Sequence, residues 1–108
     1  MNSEQYIKLA QRTTNTKDID DKIINGAMGL VGEAAEVLEH IKKWKYQGHL
    51  LQAGKLIEEA GDVMWYLAEL CSGIGITFED LWEINIEKLE KRYPERKFRE
   101  EDSIYRTE

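Results

Sequence analysis

The sequence predicts an all-α protein. The segment from Asp18 to Tyr93 contains no proline, and the only proline of the chain is Pro94. Apolar residues recur three and four positions apart through this segment, which is the spacing of one face of an α-helix. The segment has no sustained alternation of polar and apolar residues and no Asn-Gly or Asp-Gly hairpin between such stretches. We therefore predict a bundle of four helices.

The first two predicted helices are bounded by a loop and a glycine. The first helix is expected at about residues 3–12, and a Thr-Thr-Asn-Thr loop follows it. The second is expected from about residue 18 to residue 46 and ends at Gly48, where glycine adopts the left-handed conformation easily. The connection to the next helix is short, which favours an antiparallel pair.

The third and fourth predicted helices are separated by a second glycine-rich stop. The third helix is expected at about residues 51–72, and the Gly-Ile-Gly segment that follows ends it. Thr77 caps the fourth helix, with Asp80 three residues later in a form of the capping box. This helix is expected to run to about residue 92, and Pro94 ends it.

Length and composition predict one domain, residues 1–108, with a charged tail from about residue 95 that forms a short extra helix or docks on a partner. No apolar run approaches the roughly 18 residues that cross a bilayer, and the N-terminus lacks an apolar signal core. The net charge of −6 disfavours a nucleic-acid partner, because such binders neutralise phosphates. Cys71 is the single cysteine, which excludes an internal disulfide, and we expect it in the core. The sequence thus predicts a cytoplasmic protein without a membrane partner.

Two acid pairs stand at the same spacing on the second and third helices. Glu33 and Glu36 are three residues apart, as are Glu59 and Asp62. At about 100° per residue, the members of each pair lie about 60° apart, at the edge of the apolar face. If both apolar faces line one core, the four carboxylates converge at its rim.

Four carboxylates brought together repel each other and are costly to desolvate. A hard divalent cation removes that cost, and oxygen ligands suit Mg²⁺ or Mn²⁺. Spacing alone leaves a second interpretation open, in which these acids are solvated on the helix surface. Three further acids are expected to face solvent: Glu39, Glu58 and Glu69.

Small and aromatic residues share the sector of the acids. Gly26 and Gly29 fall there and are expected to leave open volume beside the carboxylates. Tyr66 lies one turn beyond Asp62, where it contacts a ligand or belongs to the core. His40 falls in the same sector and is expected at the rim.

At these residues the chain resembles the MazG-like nucleoside triphosphate pyrophosphohydrolases of the all-α NTP-pyrophosphatase superfamily. The signature of that family is EExxE, a spacer and ExxD, and it is matched here by GEAAE at 32–36 and EAGD at 59–62. Gly32 stands where the family has its first glutamate, which leaves four acids instead of five and the number of metals open. The similarity extends over about residues 26–94.

The resemblance implies a fold, a reaction and a set of site residues. The fold is the antiparallel four-helix MazG-like bundle. The reaction is Mg²⁺-dependent hydrolysis of a nucleoside triphosphate to the monophosphate and pyrophosphate, in nucleotide-pool housecleaning. The metal-binding and catalytic residues implied are Glu33, Glu36, Glu59 and Asp62.

The resemblance also implies substrate-binding residues. The family segment N-x-x-K-L-x-x-R-Y belongs to the active site, and here it contains Asn85, Lys88 and Arg92. Their spacing places them on one helical face, where they bind phosphate or sugar or form a solvated basic stripe. Lys43 and Tyr66 complete the predicted substrate-binding set.

Three other functions compete with this hydrolase. A di-iron bundle requires Glu-x-x-His repeats, whereas His40 follows Glu36 by four residues and the other helix has Tyr66. A non-catalytic helical interaction module and a nucleotide sensor both remain open.

Apolar residues also occur away from the acids, at Ile24, Trp65 and Ile84. A chain of 108 residues buries only part of such surface. We therefore predict a homodimer or a tetramer, with the bundle completed by a partner subunit and the site close to the subunit interface.

Overall fold

The computed structural model describes residues 1–96 and 98–105. It confirms the all-α prediction: the described residues contain helices and no strand. No helix in this part of the chain is both long and apolar enough to span a membrane. The helices are α1 (Ser3–Gln11), α2 (Ile19–Tyr46), α3 (Ala53–Ile74), α4 (Phe78–Arg92) and α5 (Glu100–Ile104).

Side-chain caps begin α2 and α4, and the second of them was predicted. The Asp18 side chain accepts a hydrogen bond from the backbone amide of Asp21 and so caps α2. Thr77 and Asp80 form a reciprocal capping box at the start of α4, as the sequence predicted. Each cap satisfies first-turn amides that have no partner inside the helix.

The end of α3 differs from the prediction. The helix continues through Gly73 to Ile74 and ends at Gly75, whose φ of +86° is left-handed. Gly73 is a packing residue instead of a stop, because a Cβ there would lie 2.9 Å from the Cγ1 of Ile23. Gly48 follows α2 with a φ of +73°, as predicted.

An antiparallel pair, α2 and α3, forms the framework of the fold. Gly26 lies opposite Leu70, and a Cβ at Gly26 would stand 2.8 Å from the Leu70 backbone nitrogen. At Gly29, the Tyr66 ring occupies the place of the missing Cβ. The expectation of open volume beside these glycines is therefore wrong, because they allow the two helices to approach closely.

The small core lies where α1 packs on α3. Trp65 on α3 donates its indole N–H to the carbonyl of Ala10 at 3.1 Å and to the hydroxyl of Thr13 at 2.9 Å. Trp65 is thus half-buried against α1 within one chain, and its apolar ring does not by itself require a partner subunit. The buried apolar residues are Ala10, Ala68, Cys71 and Phe78, which confirms the core position of the cysteine.

Glu69 was expected to face solvent, and this expectation is wrong. Its side chain is fully buried on α3. It accepts hydrogen bonds from the hydroxyl of Thr14, from the hydroxyl of Thr16 at 3.1 Å and from the side-chain amide of Asn25. The loop between α1 and α2 folds over α3 and supplies two of these donors, which the helical periodicity of α3 could not reveal.

Much apolar surface of α2 stays exposed. We call Ile24, Met28, Val31 and Leu38 the apolar stripe; each is exposed, and Val31 retains 71% of its accessible surface. Their spacing puts them on one face, about 180° from Glu33. The radius of gyration is 17.0 Å, compared with about 13 Å for a compact domain of about this length. The single chain is therefore less compact than a typical monomeric domain of its length.

The fourth helix packs less extensively. α4 contacts α1, and it makes no broad interface with α2 or α3. The charged tail contains the short helix α5, preceded by Arg99, which pairs with Glu95 at 2.6 Å and Glu101 at 2.9 Å. Of the two outcomes open for the tail, a short extra helix is present.

Candidate metal centre

Three of the four predicted acids converge across the α2–α3 interface. Glu33 comes from α2, and Glu59 and Asp62 come from α3. Each offers a carboxylate oxygen, and these three oxygens lie within 4.8 Å of one another. We call these residues the acid triad.

The electrostatics of the triad follow from this proximity. The pKa of Glu33 is raised, first by burial, then by its hydrogen bond with Glu59 and by the negative charges of Asp62, Glu59 and Glu36. Like charges disfavour ionisation of a carboxyl group in their midst. The site therefore accumulates negative charge that a bound cation would neutralise.

Glu36 has a different position from the other three acids. It is exposed and lies outside the triad. Its negative charge still reaches Glu33 and contributes to the raised pKa of that residue. The prediction that Glu36 binds the metal stays a prediction.

Two neighbours flank the triad. The Nε2 of His40 lies 3.5 Å from a carboxylate oxygen of Glu59, which places His40 at the rim. The second neighbour is Tyr6 of α1, whose pKa is raised by burial and then by the charge of Asp62. Sequence reasoning missed Tyr6. Its relation to Asp62 arises only when α1 docks on α3.

Tyr66 extends the site away from the α2–α3 loop. Its ring lies against Gly29 of α2. It also meets the ring of Trp65 edge-to-face, with centroids 5.0 Å apart and planes at 84°. Tyr66 is thus half-buried and held by neighbours on two sides, one turn beyond Asp62.

Lys43 lies at the opposite end of the site. It lines a cavity of about 260 Å³ beside the turn between α2 and α3. We call this cavity the basic pocket; its lining residues are His40, Lys43, His49, Leu50, Gln52 and Lys55.

The predicted substrate-binding residues of α4 are not brought to the triad within one chain by any broad packing. Asn85 and Lys88 are exposed, and Arg92 is half-buried. α4 packs on α1, and α2 and α3 pack on each other. The roles of these three residues stay predictions.

The fold and the triad define a class: an all-α protein whose antiparallel helix pair presents an all-oxygen ligand set. The family model of the MazG nucleotide pyrophosphohydrolase domain matches residues 25–97, which is more than half of the chain. The chain belongs to this family, and the resemblance found in the sequence is confirmed. The match includes all four predicted acids.

The chain is also similar to a phage protein. The chain is 38% identical over 69 residues to the "Gene 37 protein" of Mycobacterium phage L5. The match covers 60% of this chain and 60% of the phage protein, so it spans less than two thirds of that relative. No solved structure matches the chain significantly.

Proposed function

We propose that this protein is a Mg²⁺-dependent hydrolase, cytoplasmic, that converts a nucleoside triphosphate to the monophosphate and pyrophosphate, in nucleotide-pool housecleaning. The observation that carries the proposal is the acid triad, in which three carboxylate oxygens lie within 4.8 Å of one another. Membership of the MazG nucleotide pyrophosphohydrolase domain family supports the same reaction.

The donor set fits a hard divalent cation. Carboxylate oxygens are the ligands that Mg²⁺ prefers, and Mn²⁺ accepts the same set. Glu33, Glu59 and Asp62 would hold it, with Glu36 beside them. The pKa of Glu33 is raised first by burial, then by its hydrogen bond with Glu59 and by the neighbouring negative charges, and a cation held by these acids would offset that repulsion. When bound, the cation supplies charge neutralisation at the phosphates and acidifies a water molecule.

The residues of the chain position the reactants. Phosphoryl transfer needs little from a protein beyond alignment and electrostatic stabilisation. Water adds to the α-phosphorus while the bond to the bridging oxygen breaks, and pyrophosphate leaves with that oxygen and its electron pair. One of the four acids accepts the proton of the water. Tyr66, one turn from Asp62, contacts the sugar or base.

The test is a hydrolysis panel. The protein is incubated with each NTP and dNTP and Mg²⁺, and released pyrophosphate is measured with and without EDTA. Asp62→Asn removes one triad charge with little change in shape. Glu39→Gln is the matched control, because Glu39 lies outside the triad and pairs with Lys42 at 3.7 Å.

Turnover that EDTA abolishes, that Asp62→Asn reduces by about 100-fold or more and that Glu39→Gln leaves unchanged is the expected result. A folded protein that binds Mg²⁺ but hydrolyses no nucleotide would contradict the proposal. It would favour a nucleotide sensor or a helical interaction module instead.

We also propose that a second copy of the chain covers the apolar stripe. The argument is energetic. Val31 and Leu38 are 71% and 65% exposed, and burying such side chains contributes about 1.5–3 kcal/mol each. The stripe lies about 180° from Glu33 around α2, so the predicted phosphate-binding role of Asn85 and Lys88 requires a second contact, in which a partner's α4 lies on the triad side of α2.

Sedimentation analysis tests this assembly. The wild-type protein is expected as a dimer or tetramer, and Leu38→Glu is expected to shift it to monomer, because an unpaired charge at an apolar interface is costly. The matched control is Glu39→Gln, on the neighbouring position of the same helix. A stable wild-type monomer at micromolar concentration would refute the proposal.

A further inference from the structure

The basic pocket contains four basic side chains, two histidines and two lysines, at one end of the α2–α3 pair. His40 and Lys43 come from the last turns of α2, His49 from the turn, and Lys55 from the first turn of α3. The cavity has a volume of about 260 Å³. In a chain with a net charge of −6, this is a local concentration of cations and imidazoles.

The pocket adjoins the acid triad. His40 lines the pocket and also lies 3.5 Å from Glu59. Lys55 precedes Glu59 by four residues, a separation of about 6 Å along the helix axis. Around α2, Lys43 lies about 80° from Glu33 and about 20° from Glu36. The pocket and the triad therefore lie next to each other along the α2–α3 pair, with His40 between them.

The two lysines are available to an anion. Within the described part of the chain, neither Lys43 nor Lys55 forms an ion pair, whereas Lys42 on the opposite side of α2 pairs with Glu39. Lys43 meets the negative end of the α2 dipole, which by itself explains its position. Lys55 stands at the positive end of α3, where the dipole disfavours a cation. The stability of α3 therefore does not explain why a lysine stands at position 55.

We infer that the basic pocket binds the two terminal phosphates of the nucleotide, which leave as pyrophosphate. This inference rests on the proposed function. It fixes the direction of the substrate: the triphosphate runs from the triad toward the α2–α3 turn, and the nucleoside lies toward Tyr66. When the bond between the α-phosphorus and the bridging oxygen breaks, pyrophosphate takes the electron pair, and the ammonium groups of Lys43 and Lys55 balance the charge it gains.

Inorganic pyrophosphate is the probe that tests the pocket. Its binding in the presence of Mg²⁺ is measured by calorimetry for wild type, Lys43→Gln/Lys55→Gln and the control Lys42→Gln. The double variant is expected to bind at least about tenfold more weakly, because two charge-assisted hydrogen bonds are lost. Lys42→Gln is expected to match wild type, and Lys43→Arg/Lys55→Arg to retain most of the affinity. Circular dichroism checks that each variant is folded.

The direction of the substrate has its own readout. Binding of a nucleoside monophosphate is expected to be equal in wild type and Lys43→Gln/Lys55→Gln. Equal pyrophosphate affinity in these two proteins would overturn the inference, and so would an equal loss of monophosphate and pyrophosphate binding.

Pyrophosphate binding does not require turnover, so the two proposals fail separately. If the protein hydrolyses nucleotides but its pyrophosphate affinity is the same with and without the two lysines, the proposed function stands and the inference about the pocket is wrong. If the protein binds pyrophosphate through the lysines but hydrolyses no nucleotide, the pocket is an anion-binding site and the proposed function is wrong.

Discussion

Replacement of Glu69 by glutamine is expected to destabilise the folded protein strongly, although the two side chains have nearly the same shape. The carboxylate of Glu69 is fully buried. Its oxygens accept hydrogen bonds from Thr14, Thr16 and Asn25. These bonds join the α1–α2 loop and the first part of α2 to α3.

The magnitude follows from the donors that the substitution leaves without a partner. A hydrogen bond to a charged group contributes about 1.5–3 kcal/mol, and a buried donor left unsatisfied costs about 1–3 kcal/mol. Glutamine keeps one carbonyl oxygen, which still accepts from a hydroxyl. Its amide group, however, faces a donor instead of accepting from it. We therefore expect a loss of about 2–4 kcal/mol in the free energy of unfolding.

Urea unfolding followed by circular dichroism measures this loss. Protein concentration is held fixed, because the stability of an oligomer depends on concentration. Glu58→Gln is the matched control: the same substitution on the same helix at an exposed position, where surface changes alter stability by less than about 0.5 kcal/mol. A Glu69→Gln variant as stable as this control would refute the reasoning that the buried carboxylate joins the loop to α3.

Mg²⁺ is expected to raise the Tm of wild type, by the equivalent of about 2.7 kcal/mol at 100 times its Kd, and Glu59→Gln is expected to lose this increment in a thermal-shift assay; an equal increment would refute metal binding at the triad. Gly29→Ala would overlap the tyrosine ring packed there, so we expect a loss of about 1–3 kcal/mol on urea unfolding. Gly32→Ala, which meets nothing within 4 Å, should be neutral or stabilising. The pKa of Asp80 is lowered by hydrogen bonds with the backbone and side chain of Thr77. The stability this provides is present above the ordinary carboxyl pKa and is lost as pH falls through the lowered pKa. Between neutral and acidic pH, the free energy of unfolding should decrease less in Asp80→Asn than in wild type. An equal decrease in both proteins would contradict this prediction.

Local signals in the sequence determined the helices and the chemistry of the site. The cap at Thr77 and the turn at Gly48 act within a few residues, so the sequence shows them directly. The repeated acid spacing puts Glu33, Glu59 and Asp62 on the facing sides of two helices. That is enough to predict their convergence once the short turn makes the helices antiparallel.

Contacts between distant parts of the chain were decided by the tertiary structure. The burial of Glu69 depends on a loop that lies more than 50 residues away in the chain. The effect of the Asp62 charge on the pKa of Tyr6 depends on how α1 docks. Gly73 reads as a helix stop until Ile23 is found against it. Helical periodicity describes which side of one helix a residue occupies, but not what lies against that side. The sequence alone therefore determined an acidic helical protein with a metal-binding pattern, and only the packing of its helices and loops decided which acids meet and which one is buried.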